Sequence, residues 1–190
     1  QLAQHWLAGN LLLAVAYFLT GNLGLLLAIP PGFATAVWPA SGIALGWILL
    51  YGWRLLPGVV CGSFAVNMAV ATNASGLGLF EVSWITPLLI AVGAAAQAWV
   101  GTTLIRRYVD LSPGFEDPNV VIKTLALGGL VATLVNASWS VSVLYGSGVI
   151  SLERFLQNWL IWWAGDSVGV LVFTPLMLVW NTQSPFFDRT

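Results

Sequence analysis

The sequence has very few charged side chains. Only 7% of its residues are Asp, Glu, Lys or Arg and the net charge is −1, whereas a soluble domain carries roughly 25% charged residues. So few charges cannot cover a surface that faces water, and the sequence therefore predicts a protein whose surface faces mainly lipid. The nearly neutral charge gives no indication of a nucleic-acid partner.

Cysteine and histidine are almost absent. The single Cys61 excludes a disulfide framework within the chain. The single His5 argues against a metal or haem site built from several histidines, so no metal and no cofactor are expected. A serine-histidine-aspartate triad also needs a histidine within the fold, and an intramembrane aspartyl protease needs two acids that share a proton. We therefore predict that the chain is not an enzyme.

The sequence does contain long apolar runs, because hydrophobic residues make up 58% of it. At roughly 20 apolar residues per membrane crossing, the chain has room for about six helices. The six apolar segments are Trp6–Ile29, Ala34–Tyr51, Leu55–Ala71, Val82–Ile105, Val120–Leu144 and Phe155–Trp180. Pro30-Pro31-Gly32 separates the first two, and no secretory signal precedes the first, which we take to be a retained membrane helix. We predict one all-α polytopic transmembrane bundle over residues 1–190.

The basic residues predict the orientation of this bundle. If the N-terminus is cytoplasmic, only Arg154 lies outside. The cytoplasmic basic residues are then Arg54, Arg106, Arg107, Lys123 and Arg189. This distribution fits the positive-inside rule and predicts that both termini are cytoplasmic. The outer loops are expected to be shorter than about ten residues, too short for an external sensing domain.

One acidic residue lies inside an apolar run. Asp166 is about 12 residues into the last segment, or roughly 18 Å along a helix axis, which is near the middle of the membrane. A carboxyl group at that depth is costly and is by default a functional candidate. A protonated group can donate a hydrogen bond to Asn136 or Ser138, which is the structural alternative. It can instead ionise when a cationic ligand, a proton or a partner arrives.

Several small and polar residues share the predicted helices with Asp166. Trp38-Pro39-Ala40-Ser41-Gly42 begins the second helix, and a proline early in a helix is a compatible start. If Pro39 instead lies inside a span, it leaves a backbone carbonyl that needs another partner. Glycines four residues apart predict close helix packing, with a narrow cavity for a ligand as the alternative. These pairs are Gly42 and Gly46, Gly58 and Gly62, and Gly165 and Gly169.

Amide and indole side chains are the other polar groups within the spans. Asn67, Gln97 and Asn136 can each form an interhelical hydrogen bond or contact a ligand, and Asn67 is expected to face the same outer region as Trp38. Among the 11 Trp, Trp159 and Trp163 share the helix face of Asp166. Aromatic rings beside a carboxyl group can hold a cation, and the alternative is packing against lipid and other helices.

Three blocks of these residues are typical of one family. They are Trp38-Pro39-Ala40-Ser41-Gly42-Ile43-Ala44, then Gly52-x-Arg54 with Pro57-Gly58 and Gly62–Asn67, and Trp163-Ala164-Gly165-Asp166-x-x-Gly169-Val170-Leu171 with Pro175. Over nearly its whole length the chain resembles the membrane-associated sensor domain of the first type, the MASE family. The resemblance implies a multi-pass input domain in the bacterial inner membrane, with a cytoplasmic output module that is a histidine kinase or a cyclic-di-GMP enzyme. The family usually has about eight helices, two more than the segments counted here.

We therefore predict a sensory domain that detects a ligand, the state of the membrane or a partner. The predicted signal-sensing residues are Asp166, Trp38, Pro39, Ser41, Gly42, Asn67, Asn136, Trp159, Trp163 and Gly165. The expected partners are the lipid bilayer and either a cytoplasmic signalling domain in the same chain or a partner membrane protein; a small-molecule ligand and a homodimer are compatible with this interpretation.

Two other functions stay open at this point. A small-solute transporter is favoured by the intramembrane acid and by a loose inverted repeat of two three-helix halves. An accessory or scaffold subunit of a larger membrane complex is favoured by the many tryptophans.

Overall fold

The computed structural model describes residues 2–29, 34–79, 81–110 and 117–180 and is almost entirely helical. The helices are α1 (Leu2–Leu25), α2 (Pro39–Tyr51), α3 (Leu56–Ser75), α4 (Ile85–Tyr108), α5 (Pro118–Leu125), α6 (Thr133–Gly146) and α7 (Leu152–Trp180). Two short strands, β1 (Ala28–Ile29) and β2 (Ala34–Thr35), pair antiparallel between α1 and α2. A 3₁₀ turn, Trp53–Leu55, precedes α3, and a π-helical turn, Ala126–Val131, joins α5 to α6. The predicted all-α transmembrane bundle is confirmed.

Five helical stretches are long and apolar enough to cross a membrane. They are Trp6–Leu25, Trp53–Ser75, Ile85–Tyr108, Pro118–Gly146 and Leu152–Trp180. The remaining apolar helix, α2, has only 13 residues and is about 20 Å long. All six predicted segments are thus helical, while six complete crossings and the cytoplasmic position of the termini stay predictions. The Pro30-Pro31-Gly32 break and Arg189 lie outside the described residues.

Helix α2 begins at Pro39, with Trp38 as its N-cap, so the predicted helix start at Trp38-Pro39 is confirmed and the apolar segment from Ala34 begins before the helix. Proline is well suited to the first turn of a helix, where its missing N–H has no partner to lose, and it pushes the preceding residue towards an extended conformation. Trp38 accordingly has φ −117° and ψ 85°. Because Pro39 begins the helix, it frees no carbonyl inside a span. The connection between α1 and α2 is also longer than the ten residues expected of an outer loop.

Glycine contacts bring α2, α3 and α7 unusually close to their neighbours. A Cβ atom on Gly42 would overlap the carbonyl oxygen of Gly169, and a Cβ on Gly169 would overlap that of Trp38. On α3, a Cβ on Gly58 would lie 2.6 Å from the Asn10 carbonyl oxygen of α1. These contacts confirm the close packing that the glycine spacing predicts. We call the contact between α2 and α7 the α2–α7 seam.

The bundle has two unlike halves along its long axis. The half that holds the C-terminal ends of α2, α4 and α7 has an apolar core, and we call it the packed half. Its buried core residues are Leu45, Leu49, Leu50, Ile105, Val109, Val120, Val170 and Leu178. The other half holds the C-terminal ends of α1, α3 and α6, and we call it the cavity half. Asp166 lies in it at the boundary with the packed half.

Candidate functional site

Asp166 is buried about halfway along α7. It is 1% exposed and, among the described residues, is the buried side chain that carries a carboxyl group. Its Oδ2 atom accepts a hydrogen bond from Nδ2 of Asn136 on α6 at 2.9 Å. The Ser140 hydroxyl donates to Oδ1 of Asn136 at 2.8 Å, which directs the amide N–H groups towards the carboxyl group. The structure therefore pairs one oxygen of Asp166 through a fixed amide.

The other oxygen of Asp166 has no such pairing. Its Oδ1 atom is buried and has no hydrogen-bond partner among the described residues. A buried polar atom without a partner costs about 1–3 kcal/mol, so most native structures pair such atoms or place them at functional sites. Among the described residues, Asp166 is therefore hydrogen-bonded through Oδ2 and not through Oδ1.

A cavity of about 50 Å³ lies beside Asp166 in the cavity half. The predicted site residues that line it are Trp38, Asn67, Asn136, Gly165 and Asp166. This arrangement brings together residues from α3, α6, α7 and the segment before α2. The expectation that Asn67 faces the same region as Trp38 agrees with this lining. Asn67 is partly buried and uses its Nδ2 atom to donate to the Ser63 carbonyl at 2.9 Å.

An extended segment of backbone reaches this cavity from the loop between α1 and α2. The Trp38 N–H donates to the Gly165 carbonyl at 2.9 Å, and a Cβ on Gly165 would overlap the Thr35 carbonyl oxygen. Non-helical backbone at membrane depth is tolerated where protein buries it or where it lines a cavity. Gly165 is therefore required because it lets the extended strand approach the middle of α7.

Three predicted site residues lie in the α2–α7 seam instead of the cavity lining. Pro39 begins α2, and Gly42 packs against the backbone of Gly169. The Ser41 hydroxyl lies 2.8 Å from the Trp38 carbonyl oxygen and 3.0 Å from that of Asp166. Ser41 thus hydrogen-bonds the backbone of Asp166, and these three residues position α7 and are not among the described residues that line the cavity.

The predicted aromatic pair lies outside the cavity lining. Trp159 and Trp163 stack on each other with ring centroids 6.2 Å apart. Their indole N–H groups donate to the Ser138 hydroxyl at 3.1 Å and to the Leu130 carbonyl at 3.0 Å. The ring that does line the cavity from α7 is Trp162, four residues before Asp166. The packing interpretation therefore describes Trp159 and Trp163, and their role in sensing stays a prediction.

Sequence reasoning also missed lining residues on other helices. Tyr17 of α1 and Ser63 of α3 both line the cavity, and the Tyr17 hydroxyl accepts a long hydrogen bond of 3.4 Å from Nε1 of Trp38. The four-residue spacing between Trp162 and Asp166 was a usable signal. Nothing in the sequence indicates the contact of Tyr17, because it depends on how α1 packs against the rest of the bundle.

The chemistry of the site is that of one acid among aromatic and amide groups. No Lys, Arg or His side chain is among the described residues that line the cavity. Within the same described part of the chain, no three His, Cys, Asp or Glu side chains cluster to hold a metal ion. Gln97 is buried away from the cavity lining, and its Oε1 atom has no partner in the described ranges, so the interhelical bond expected of that oxygen is not formed. The site is suited to binding a hydrogen-bond donor.

Comparison with known proteins gives one result. The MASE1 family model matches residues 9–184, which is nearly the whole chain. That family consists of membrane sensory input domains. Neither the curated proteins nor the solved structures contain a match.

Proposed function

The chain belongs to the MASE1 family, and from that premise we propose that it is the sensory input domain of a bacterial inner-membrane signalling protein. It detects a small ligand in the cavity half. It then passes the signal to a cytoplasmic output module, either a histidine kinase or a cyclic-di-GMP enzyme.

The Oδ1 atom of Asp166, which has no hydrogen-bond partner among the described residues, carries this proposal. It combines the energetic cost of an unpaired, buried oxygen with a position beside a cavity. A ligand that donates a hydrogen bond to this atom would remove that cost. A ligand shifts a conformational equilibrium only through different affinities for two states. In this proposal, the two states of the domain differ in whether the Asn136 amide donates a hydrogen bond to Asp166.

Helix α7 supplies a direct route from the cavity to the far end of the bundle. Its 29 residues form one helix about 43 Å long, and Asp166 lies about 21 Å from its start. Pro175 lies between Asp166 and the C-terminal end, and it lacks the N–H that would bond the Leu171 carbonyl. In the α2–α7 seam the two backbones are in contact, so a shift of α7 must move α2 or open the seam. A change at Asp166 can therefore be transmitted as a movement of helices.

The basic residues support a cytoplasmic C-terminal end for α7. Arg54 lies between α2 and α3, Arg106 lies at the end of α4, and Lys123 lies in α5. The guanidinium group of Arg106 donates to the Leu49 carbonyl near the end of α2 at 3.3 Å, which places these ends together. Basic residues concentrate on the cytoplasmic side of membrane proteins, so the packed half is assigned to that side.

A reporter fusion tests the proposed function. The whole chain is joined at its C-terminal end to a diguanylate cyclase domain, and cyclic di-GMP is measured in cells at matched membrane levels of each variant. We expect Asp166→Asn to change the basal output several-fold, because it replaces the acid while keeping its shape. Glu153→Gln is the matched control, since it removes an exposed acid from the same helix. Equal output from Asp166→Asn and the unaltered chain would refute a signalling role for this residue.

A small-solute transporter is the second candidate function. The observation that favours it is the extended backbone before Trp38, because transporters place interrupted helices and unwound backbone beside a binding site near the membrane midplane. Reconstituted vesicles that contain the chain would take up radiolabelled methylammonium faster than empty vesicles if this function is correct. Equal uptake by both kinds of vesicle would eliminate it.

A further inference from the structure

The cavity beside Asp166 offers a buried acceptor to a ligand, while three of its donors are already engaged. The hydroxyl groups of Tyr17 and Ser63 also line the cavity, and a hydroxyl can either donate or accept. The Asn136 amide donates to Asp166, the Asn67 amide donates to Ser63, and the Trp38 indole donates to Tyr17. The Asp166 Oδ1 atom remains without a partner among the described residues. A ligand that donates hydrogen bonds therefore fits this cavity better than one that accepts them.

The charge of the lining selects among such donors. Asp166 is the acid of the lining, and the described lining has no basic side chain to balance it. An anionic ligand would meet an acid without any cation, whereas a cationic ligand would supply the missing counter-charge. A charge-assisted hydrogen bond between an ammonium group and a carboxylate is about twice as strong as a neutral one.

Aromatic rings and limited space narrow the ligand further. Tyr17, Trp38 and Trp162 line the cavity together with aliphatic residues, and aromatic rings attract organic cations. A Mg²⁺ or Ca²⁺ ion would instead need six or more oxygen ligands. The cavity of about 50 Å³ has room for on the order of three to five water-sized groups. Leu25, Asn67 and Val70 are only partly buried, so one wall of the cavity reaches the protein surface.

We propose that this cavity binds a small alkylammonium cation, whose N–H groups donate to Oδ1 of Asp166 and whose alkyl part packs against Trp38 and Tyr17. The signalling consequence of this binding rests on the sensory function proposed above. The binding itself depends only on the geometry of the cavity.

The direct test is a binding titration with methylammonium chloride. The chain is purified in detergent, and isothermal titration calorimetry is carried out at constant ionic strength with NaCl replaced by the probe. We expect saturable binding to the unaltered chain. Asp166→Asn should weaken binding by at least about tenfold, because the charged acceptor is lost. Glu153→Gln should bind like the unaltered chain, because its acid lies on the exposed first turn of α7.

A second variant keeps the proposal testable if Asp166→Asn does not fold. Val70→Phe adds a bulky side chain to the partly buried wall and leaves Asp166 in place. It should weaken methylammonium binding at least about tenfold by filling the cavity. Its matched control is Val172→Phe, because Val172 is exposed on α7 and does not line the cavity.

Three results would overturn the assignment. The first is that the unaltered chain shows no saturable binding of methylammonium. The second is that Asp166→Asn binds methylammonium as tightly as the unaltered chain. The third is that sodium ions bind to the cavity as tightly as methylammonium does. The reporter fusion separates this outcome from the fate of the sensory proposal. Altered output from Asp166→Asn without methylammonium binding keeps the sensory function and overturns the ligand class. Binding without any change of output keeps the ligand class and overturns the sensory function.

Discussion

The two halves of the bundle differ in how their buried polar groups are connected, although the buried Thr174 hydroxyl of the packed half also donates to the Gly42 carbonyl at 2.9 Å. In the cavity half, Asn136, Ser140 and Asp166 form a connected hydrogen-bond network that leaves one carboxyl oxygen facing a cavity. In the packed half, the hydroxyl oxygens of Thr102 and Thr124 are buried singly and have no partner among the described residues. Connected groups fix the relative positions of helices, whereas isolated hydroxyls add no specificity to the packing. The presence of buried polar side chains therefore does not identify the site, whereas a hydrogen-bond network that borders a cavity does.

The largest expected effect comes from inserting a side chain into the α2–α7 seam. Gly169→Leu inserts a side chain where even a Cβ would overlap the Trp38 carbonyl oxygen. We expect a loss of about 3 kcal/mol or more in the free energy of unfolding, because two backbones must separate. The measurement is unfolding of the purified chain in mixed detergent. Gly146→Ala is the control, since a Cβ there meets nothing within 4 Å, and equal stability of the two variants would show that the seam is open.

The next largest effect tests the network of the cavity half. Asn136→Leu removes the donor to Asp166 and leaves both carboxyl oxygens without partners, so a loss of about 1–3 kcal/mol in unfolding free energy is expected. A double-mutant cycle with Asp166→Leu should give a coupling energy of at least about 0.5 kcal/mol. Strictly additive effects would mean that the hydrogen bond contributes nothing to the fold.

A matched pair of buried threonines compares a hydrogen-bonded hydroxyl with one that has no partner among the described residues. Thr133 on α6 is buried and donates to the Gly129 carbonyl at 2.6 Å, and it lies 3.1 Å from the Ser167 hydroxyl. We expect Thr133→Val to lower the free energy of unfolding by about 1 kcal/mol, and Thr124→Val to leave it unchanged or raise it slightly. Unfolding of the two variants under one set of conditions decides the matter. The contrast fails if Thr124→Val is the more damaging substitution.

The smallest effect is expected at the aromatic pair outside the cavity. Trp159→Phe removes one indole hydrogen bond to Ser138 and keeps an aromatic ring for stacking. The loss of unfolding free energy should be about 0.6 kcal/mol, the average of hydrogen bonds between membrane helices. The output of the reporter fusion should stay unchanged. A large change of output would return Trp159 to the sensing residues.

The sequence predicts the helices and the central acid well, because both depend on local composition. Six apolar runs are visible as such, and Asp166 stands out as an acid within one of them. The partner of Asp166 was also within reach, since Asn136 is one of few amides inside a span. The glycine spacing likewise predicts the close packing at the seam, because small residues on one helix face let two backbones approach closely.

The cavity could be predicted only in part, because its lining comes from elements that are distant in the chain. Tyr17 reaches it through the packing of α1, and Thr35 reaches it through an extended segment that the apolar pattern presents as helix. Pro39 indicates that extended segment, since the residue before a proline avoids helical geometry. The choice between Trp162 and its neighbours depends on the rotation of α7, which composition does not determine.

The π-helical turn between α5 and α6 controls where Asn136 points. In this turn the Ala132 N–H donates to the Leu127 carbonyl at 2.9 Å, five residues back, so the turn holds one residue more than an α-helical path. Taking up that residue into regular winding would rotate α6 by about 100° relative to α5. The Asn136 amide would then move away from Asp166 without any change in the side-chain rotamer of Asn136. The rotation of α6 about its own axis is thus set by a single π-helical turn, which lies next to the packed half and not in the cavity.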